Sequence, residues 1–319
     1  MEPAVFLIWR RCELNIQEWA LVAFTLLAQM SVGAFWVLGV VHFYAQRKAG
    51  EVEADRLSDR ALVVIGPLLV LGLLASFLHL GNPLSAVKAV TNIGSSWLSR
   101  EILFGVLFAA FGFLFAIMQW RKIGSFGIRT VVAVITAIFG LFLIISMSLV
   151  YMLPTQPAWN TIATPIGFFT TALLLGSLVM GVAFAANFLY LKRDDEAATE
   201  IQRDLLRGTL RGISVTSIVL LAVQLVIAPL YIATLATGVP AAQASADLLI
   251  NEYGAAFVVR LLLLVLGAGL FTLLLYQGAT GKTKASTLAN LAYVSFGLVL
   301  LAEVLGRFLF YAIQVPIGI

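Results

Sequence analysis

The sequence consists of long apolar segments separated by short polar ones. Eight of the apolar segments contain about 20 residues or more, enough for a helix to cross roughly 30 Å of hydrocarbon. We predict transmembrane helices at residues 18–44, 61–80, 101–120, 128–152, 165–191, 209–237, 253–276 and 286–313. No long stretch alternates apolar and polar residues with a period of two, so the pattern favours an all-α integral membrane fold over a β-barrel.

Composition supports this class and excludes two others. Of the 319 residues, 61% are apolar and 11% are charged, whereas a soluble domain has about 45–50% apolar and about 25% charged residues. A soluble enzyme of this length could not bury so much apolar surface, and a disordered chain would need far more charge. We therefore predict a single membrane domain over residues 1–319. Its one cysteine, Cys12, excludes an internal disulfide and a Cys-ligated iron–sulfur cluster.

The basic residues predict the orientation of the protein in the membrane. Most of the 20 Lys and Arg residues lie in or beside the loops after spans 1, 3, 5 and 7, whereas the loops after spans 4 and 6 contain none. Basic loops stay in the cytoplasm, so both termini are predicted to lie outside, in the periplasm of a bacterium. The net charge of +4 is thus read as a topology signal, and no nucleic-acid partner is expected. The longest polar segment, residues 192–208, is predicted to be a charged cytoplasmic loop.

A weak internal repeat accompanies this topology. Phe24-Thr25 lies 23 residues before Arg47-Lys48, and Phe169-Thr170 lies the same distance before Lys192-Arg193. Spans 1 and 5 would then be equivalent, giving two four-helix bundles that divide near residues 152–165. Two apolar helices with basic ends can also match by chance, so both interpretations stay open.

Ionisable side chains inside a bilayer are costly, so each is a candidate for function. With the predicted orientation, the candidates in or beside the spans concentrate in the outer half of the membrane. They are Glu18, His79, Arg100, Glu101, Arg260, Glu303 and Arg307. Glu303 and Arg307 are four residues apart, which predicts an ion pair within one helix. Arg260 is expected to pair across helices, with Glu303 or with Glu101.

The two histidines restrict cofactor chemistry. His42 ends span 1 at the predicted inner side and His79 ends span 2 at the outer side, so the pair cannot clamp one heme. A bis-histidine heme is therefore not expected, although a heme with a Met ligand stays open. No spacing of His, Cys, Asp and Glu resembles a metal-ligand set, so we predict no metal site.

The segment between spans 2 and 3 is the most informative for chemistry. Gly81 and Pro83 are predicted to end the second helix, and Ser99 to be the N-cap of the third. Glu101 would then lie in the first helical turn, where a carboxylate favours the helix dipole. Alternatively, the loop brings His79 and Glu101 to one pocket. An imidazole beside a carboxylate suits oxidation of a quinol, which loses two protons with its two electrons.

These segments resemble the membrane anchor subunit of dimethyl sulfoxide reductase, the DmsC-like family. The resemblance covers nearly the whole sequence and is most specific in His79-Leu80-Gly81-x-Pro83 and Ser99-x-Glu101. It implies a heme-free anchor in the cytoplasmic membrane of a bacterium or archaeon, which oxidises menaquinol from the menaquinone pool in anaerobic respiration. It also implies two partners: an iron–sulfur subunit with four [4Fe–4S] clusters and a catalytic subunit with molybdopterin guanine dinucleotide.

The resemblance further implies site residues. His79 and Glu101 would be the quinol-binding and proton-accepting pair, and the residues around them would support the site. These supporting residues are Gly81, Pro83, Trp97, Ser99 and Arg100. Two other classes remain open: a small-solute transporter, which should have broken helices and inverted repeats, and an anchor with a purely structural role.

Overall fold

The structure is a computed structural model that describes residues 16–79, 90–190, 196–281 and 283–318. Within these residues all regular structure is helical. The α-helices are α1 Ile16–Ala49, α2 Glu51–Leu62, α3 Ile65–His79, α4 Trp97–Arg121, α5 Phe126–Tyr151, α6 Ala163–Tyr190, α7 Glu196–Ala236, α8 Pro240–Asp247, α9 Gly254–Leu264, α10 Thr272–Thr280 and α11 Ala285–Ala312. A short 3₁₀-helix covers Val90–Asn92, and π-helical segments cover Leu248–Glu252 and Val265–Phe271.

The predicted all-α membrane fold is confirmed. Eight helical segments in the described part of the protein are long and apolar enough to cross a membrane, and each overlaps one predicted span. The second, Glu51–Ser76, combines α2 with α3, and the seventh, Gly254–Thr280, combines α9, a π-helical segment and α10. We call the end at which α1, α4 and α6 begin and α5 and α11 end the outer end. That it faces the periplasm stays a prediction.

Two segments predicted as polar loops are helical instead. Gly50, with φ of 86°, makes a tight turn after α1, and α2 begins immediately at Glu51. Glycine adopts this left-handed conformation without the steric cost that a side chain would impose. Similarly, α7 begins at Glu196, so most of the predicted loop over residues 192–208 extends a transmembrane helix. Both segments are rich in Ala, Glu, Arg and Leu, which are good helix formers.

Ion pairs hold α2 at the opposite, inner end of the bundle. Lys122 Nζ lies 2.6 Å from Asp55 Oδ2 and 2.8 Å from Asp59 Oδ2, which ties α2 to the end of α4. Arg129 Nη2 lies 2.5 Å from Glu51 Oε1. Charged residues of this predicted loop therefore pair with neighbouring helices, and this pairing explains why the polar segment is an ordered helix.

α1 and α6 form the centre of the molecule. The spans containing them are 67% and 72% buried, against 17–39% for the other six. Their backbones approach closely where Gly176 faces Gly33. A Cβ atom on Gly176 would lie only 2.2 Å from the carbonyl carbon of Gly33, so this approach requires glycine. Small residues allow such contact between membrane helices. α3 packs against α1, α7 and α11 pack against α6, α4 packs against α5, and α9 packs against α11. The division into two bundles stays a prediction.

Candidate functional site

α4 begins earlier than the sequence predicted. Its N-cap is Ser96, whose hydroxyl accepts a hydrogen bond of 3.3 Å from the Ser99 backbone N–H. The prediction of Ser99 as N-cap is therefore wrong, and Ser99 lies buried in the first turn. Both serines are suitable caps, so local sequence could not choose between them. Because the helix starts at Trp97, Glu101 lies one turn inside it.

Arg100 fixes the turn that leads into α4. Its Nε donates to the Ile93 carbonyl at 2.8 Å and its Nη2 donates to the Gly94 carbonyl at 2.7 Å. Its guanidinium carbon also lies 4.1 Å from the centroid of the Trp97 ring, within the range of a cation–π contact. These contacts hold the turn against the helix, which explains why the start at Trp97 is preferred.

Glu101 is buried, with 7% of its surface exposed. It lies within electrostatic range of Tyr151, at the end of α5, and of Tyr311, near the end of α11. The hydroxyl oxygens of these two tyrosines are 2.7 Å apart and form a hydrogen bond. The carboxylate is thus buried near the ends of α5 and α11, and its role at a quinol site stays a prediction.

The tyrosine pair belongs to an aromatic cluster at the outer end. It consists of Tyr151, Trp159, Phe168, Phe310 and Tyr311. Trp159 Nε1 donates to the Phe310 carbonyl at 2.7 Å, which ties the segment between α5 and α6 to α11. Tyr151, like its partner Tyr311, was not among the residues that the sequence suggested for the site. Its position at the outer end of a predicted span, opposite Glu101 in the same half of the membrane, was the available signal.

The other predicted quinol-site residues fall at the edge of the described structure. The backbone of α3 ends at His79, and α3 contacts α4. Gly81 and Pro83 lie outside the described residues, as do the side chains of His79 and Glu18. The pairing of His79 with Glu101 therefore stays a prediction.

A buried polar network crosses the other side of the bundle. Glu303 is 3% exposed, and its carboxylate accepts hydrogen bonds from Thr171 Oγ1 and from Gln224 Nε2, each at 2.7 Å. Gln224 Oε1 in turn accepts from Arg260 Nη2 at 2.9 Å. The network therefore links α6, α7, α9 and α11. Arg260 does interact across helices, as predicted, but it reaches Glu303 through Gln224.

Arg307 does not form the predicted ion pair with Glu303. The ion pairs found among described residues do not include these two, although both lie on α11. Arg307 Nη2 instead donates to Gln29 Oε1 at 3.0 Å, and its guanidinium carbon lies 4.0 Å from the centroid of the Phe168 ring. Partners on α1 and α6 therefore replace the intrahelical partner.

Comparison with known proteins identifies the family. The family model of the DMSO reductase anchor subunit (DmsC) matches residues 13–313. The protein belongs to this family. It is 30% identical over 302 residues to a component of the anaerobic dimethyl sulfoxide reductase of Escherichia coli, a match that covers 94% of the present sequence and 96% of that relative. It is 28% identical over 307 residues to a component of the Haemophilus influenzae anaerobic dimethyl sulfoxide reductase, covering 95% and 97%.

A shorter match involves a different enzyme. Over 101 residues, the sequence is 30% identical to a component of the sulfite dehydrogenase of Allochromatium vinosum, a match that covers 32% of the present sequence and 31% of that relative. Family membership and the eight spans together make this a multi-pass protein of the cytoplasmic membrane.

This DmsC-family protein uses His42 in internal contacts. His42 Nδ1 lies 2.8 Å from Ser58 Oγ, and Nε2 lies 3.9 Å from Asp55 Oδ1. Both ring nitrogens thus face side chains of α2 at the inner end. Among the described residues, no group of three or more His, Cys, Asp and Glu side chains could hold a metal ion.

Proposed function

We propose that this protein is the heme-free anchor that oxidises menaquinol in a dimethyl sulfoxide reductase-type complex. The observation that carries the proposal is Glu101, a buried carboxylate one turn inside α4 that lies within electrostatic range of the Tyr151–Tyr311 hydroxyl pair. Oxidation of a quinol to a quinone releases two protons and two electrons. A carboxylate in an apolar environment can accept such a proton.

Each predicted site residue has a role in this proposal. Glu101 accepts one quinol proton, and His79, at the end of the neighbouring helix α3, accepts the other. Arg100 and Trp97 hold the turn before α4, which fixes the position of Glu101 along the helix. Gly81 and Pro83, which follow His79 in the sequence, are proposed as supporting residues, and Ser99 completes the first turn of α4.

The electrons leave through partner subunits. The family name and the names of the relatives support membership of a dimethyl sulfoxide reductase complex. We propose that an iron–sulfur subunit with [4Fe–4S] clusters takes the electrons and passes them to a catalytic subunit with molybdopterin guanine dinucleotide. Because Glu101 lies near the outer end, the iron–sulfur subunit would dock there. A subunit at the inner end would be separated from the quinol by much of the roughly 30 Å core.

The decisive test replaces Glu101 by glutamine, which removes the proton acceptor at nearly constant shape. Membranes with equal amounts of assembled complex are assayed for oxidation of a menaquinol analogue. We expect the rate to fall about 100-fold or more, the usual effect of losing a general base. Glu252→Gln, an exposed carboxylate near the outer end, is the matched control and should leave the rate unchanged. An undiminished rate in Glu101→Gln would contradict the proposal.

A further inference from the structure

A cavity of about 140 Å³ lies between α6, α7, α9 and α11 in the outer half of the bundle. The charged side chains among its described lining residues are Arg260, Glu303 and Arg307. Glu101 is not among these lining residues. Aromatic and aliphatic side chains form much of the remaining wall, including Phe168 and Phe257. An apolar cavity with a few convergent polar groups is the usual form of a small-ligand site.

The packing of α7 indicates how a ligand would enter. α7 packs against α10 and the π-helical segment Val265–Phe271, but its contacts with α9 are few at most. The two helices therefore diverge towards the outer end, and the cavity lies where they separate. The lipid-facing surfaces of both helices are exposed and aliphatic, with Val226 on α7 and Val258 on α9. A ligand that enters from the side would thus come from the lipid phase and would be amphiphilic.

The polar wall contains a hydrogen-bond donor that has no partner among the described residues. Both carboxylate oxygens of Glu303 accept hydrogen bonds from protein donors, and Gln224 Oε1 accepts from Arg260 Nη2. Arg260 Nε is buried and has no hydrogen-bond partner within the described residues. Gly306 makes room for this group, because a Cβ atom there would lie 2.5 Å from Arg260 Nε. A buried unsatisfied donor is costly, so a ligand oxygen at this position would be favoured.

Depth distinguishes between amphiphiles. Arg260 is six residues after Gly254, where α9 begins, so it lies about 9 Å along the helix from the outer end. A phospholipid phosphate would have to leave the interface and lose its hydration to reach that depth, which is costly for a charged group. A quinone headgroup is uncharged, carries carbonyl oxygens and is attached to an apolar tail.

We propose that this cavity binds the headgroup of a membrane quinone, with one carbonyl oxygen accepting a hydrogen bond from Arg260 Nε. The site is separate from the one at Glu101, so the protein would hold two quinone-binding positions in its outer half. The inference rests on the proposed function only in taking the quinone pool as the source of the ligand. The tail would leave through the gap between α7 and α9.

Photolabelling of the full-length protein in lipid nanodiscs tests the site. The probe is an azido-substituted menaquinone analogue with a short isoprenoid tail, and labelled peptides are located by mass spectrometry. We expect label in residues 224–231 of α7 and in α9, and displacement by menaquinone with a four-isoprenoid tail. Ala228→Phe fills the cavity and should lower this labelling about tenfold or more. Val226→Phe, on the lipid-facing side of the same helix, is the matched control and should leave labelling unchanged.

Arg260→Gln removes the unpartnered Nε donor and should weaken displacement by menaquinone about tenfold or more, as expected for a lost hydrogen bond from a charged group. Cavity labelling that persists in Ala228→Phe, or equal competition by phosphatidylglycerol, would overturn the assignment. Label confined to the region of Glu101 would overturn the cavity site while leaving the proposed function intact. Cavity labelling together with a fully active Glu101→Gln complex would support the cavity and contradict the proposed function.

Discussion

Replacing Gly176 by alanine is expected to force α1 and α6 apart. A Cβ atom on Gly176 would lie 2.2 Å from the Gly33 carbonyl carbon and 2.5 Å from the Ala34 backbone nitrogen, whereas ordinary contact begins at 3.4 Å. The helices would have to separate locally by about 1.2 Å, the difference between 3.4 and 2.2 Å. No side-chain rotation can relieve the clash, since every atom involved belongs to the backbone of a helix.

The cost follows from two opposing terms. Overpacking of a well-packed interior usually costs about 1–3 kcal/mol, and a clash between backbones belongs at the upper limit. Alanine in place of glycine within a helix returns about 1 kcal/mol. We therefore expect Gly176→Ala to lower the free energy of unfolding by about 2 kcal/mol. On α6, Phe168 contacts Arg307 and Thr171 donates a hydrogen bond to Glu303. A displacement of α6 should therefore weaken the buried polar network as well.

The assay is an SDS titration of the purified protein in mixed micelles, followed by tryptophan fluorescence. Gly167→Ala on the same helix is the matched control, because a Cβ atom there would have no neighbour within 4 Å. Gly167→Ala should unfold at the same SDS fraction as the parent protein or at a higher one. Equal unfolding midpoints for the two variants would refute the argument that the closeness of α1 and α6 depends on Gly176.

The remaining predictions concern the tyrosine pair and the topology. Tyr151→Phe or Tyr311→Phe removes the hydrogen bond between the two buried hydroxyls and should cost about 1–3 kcal/mol of unfolding free energy, whereas the double variant should cost less than the sum of the two. Additive costs in the same titration would show that this hydrogen bond contributes nothing. Thr155→Cys and Ser125→Cys, each in a Cys12→Ser background, report the two sides of the membrane in intact cells that lack the partner subunits. An impermeant thiol reagent should label the cysteine at position 155 but not the one at position 125, and the reverse pattern would invert the predicted topology and docking side together.

The sequence determined the class of fold because a bilayer imposes a simple length and polarity requirement. Apolar segments of sufficient length become spans whatever their neighbours, so all eight predicted spans are present in the structure. The depth of a residue in a span also follows from counting along the helix. For this reason Glu101, Glu303 and Arg307 could be selected from the sequence as buried charged residues, and all three are buried.

Tertiary structure decided which groups meet. Two serines could cap α4, and the contacts of Arg100 with the preceding turn accompany the choice of Ser96. An i, i+4 spacing permitted an ion pair for Arg307, but Gln29, 278 residues away, became its partner. Spacing along one helix describes only local partners, whereas the position of a neighbouring helix depends on packing over the whole bundle.

Polarity alone also could not distinguish a cytoplasmic loop from a helical extension. Glu51 and the charged residues after it form α2 because Lys122 and Arg129, far along the sequence, supply their partners. The hydroxyls of Tyr151 and Tyr311 pair across 160 residues for a similar reason: the ends of α5 and α11 converge at the outer end. Water is not available to hydrogen-bond polar groups inside a bilayer, so neighbouring helices supply the partners of those that are buried. Which helices do so depends on how the close contact of α1 and α6 arranges the rest.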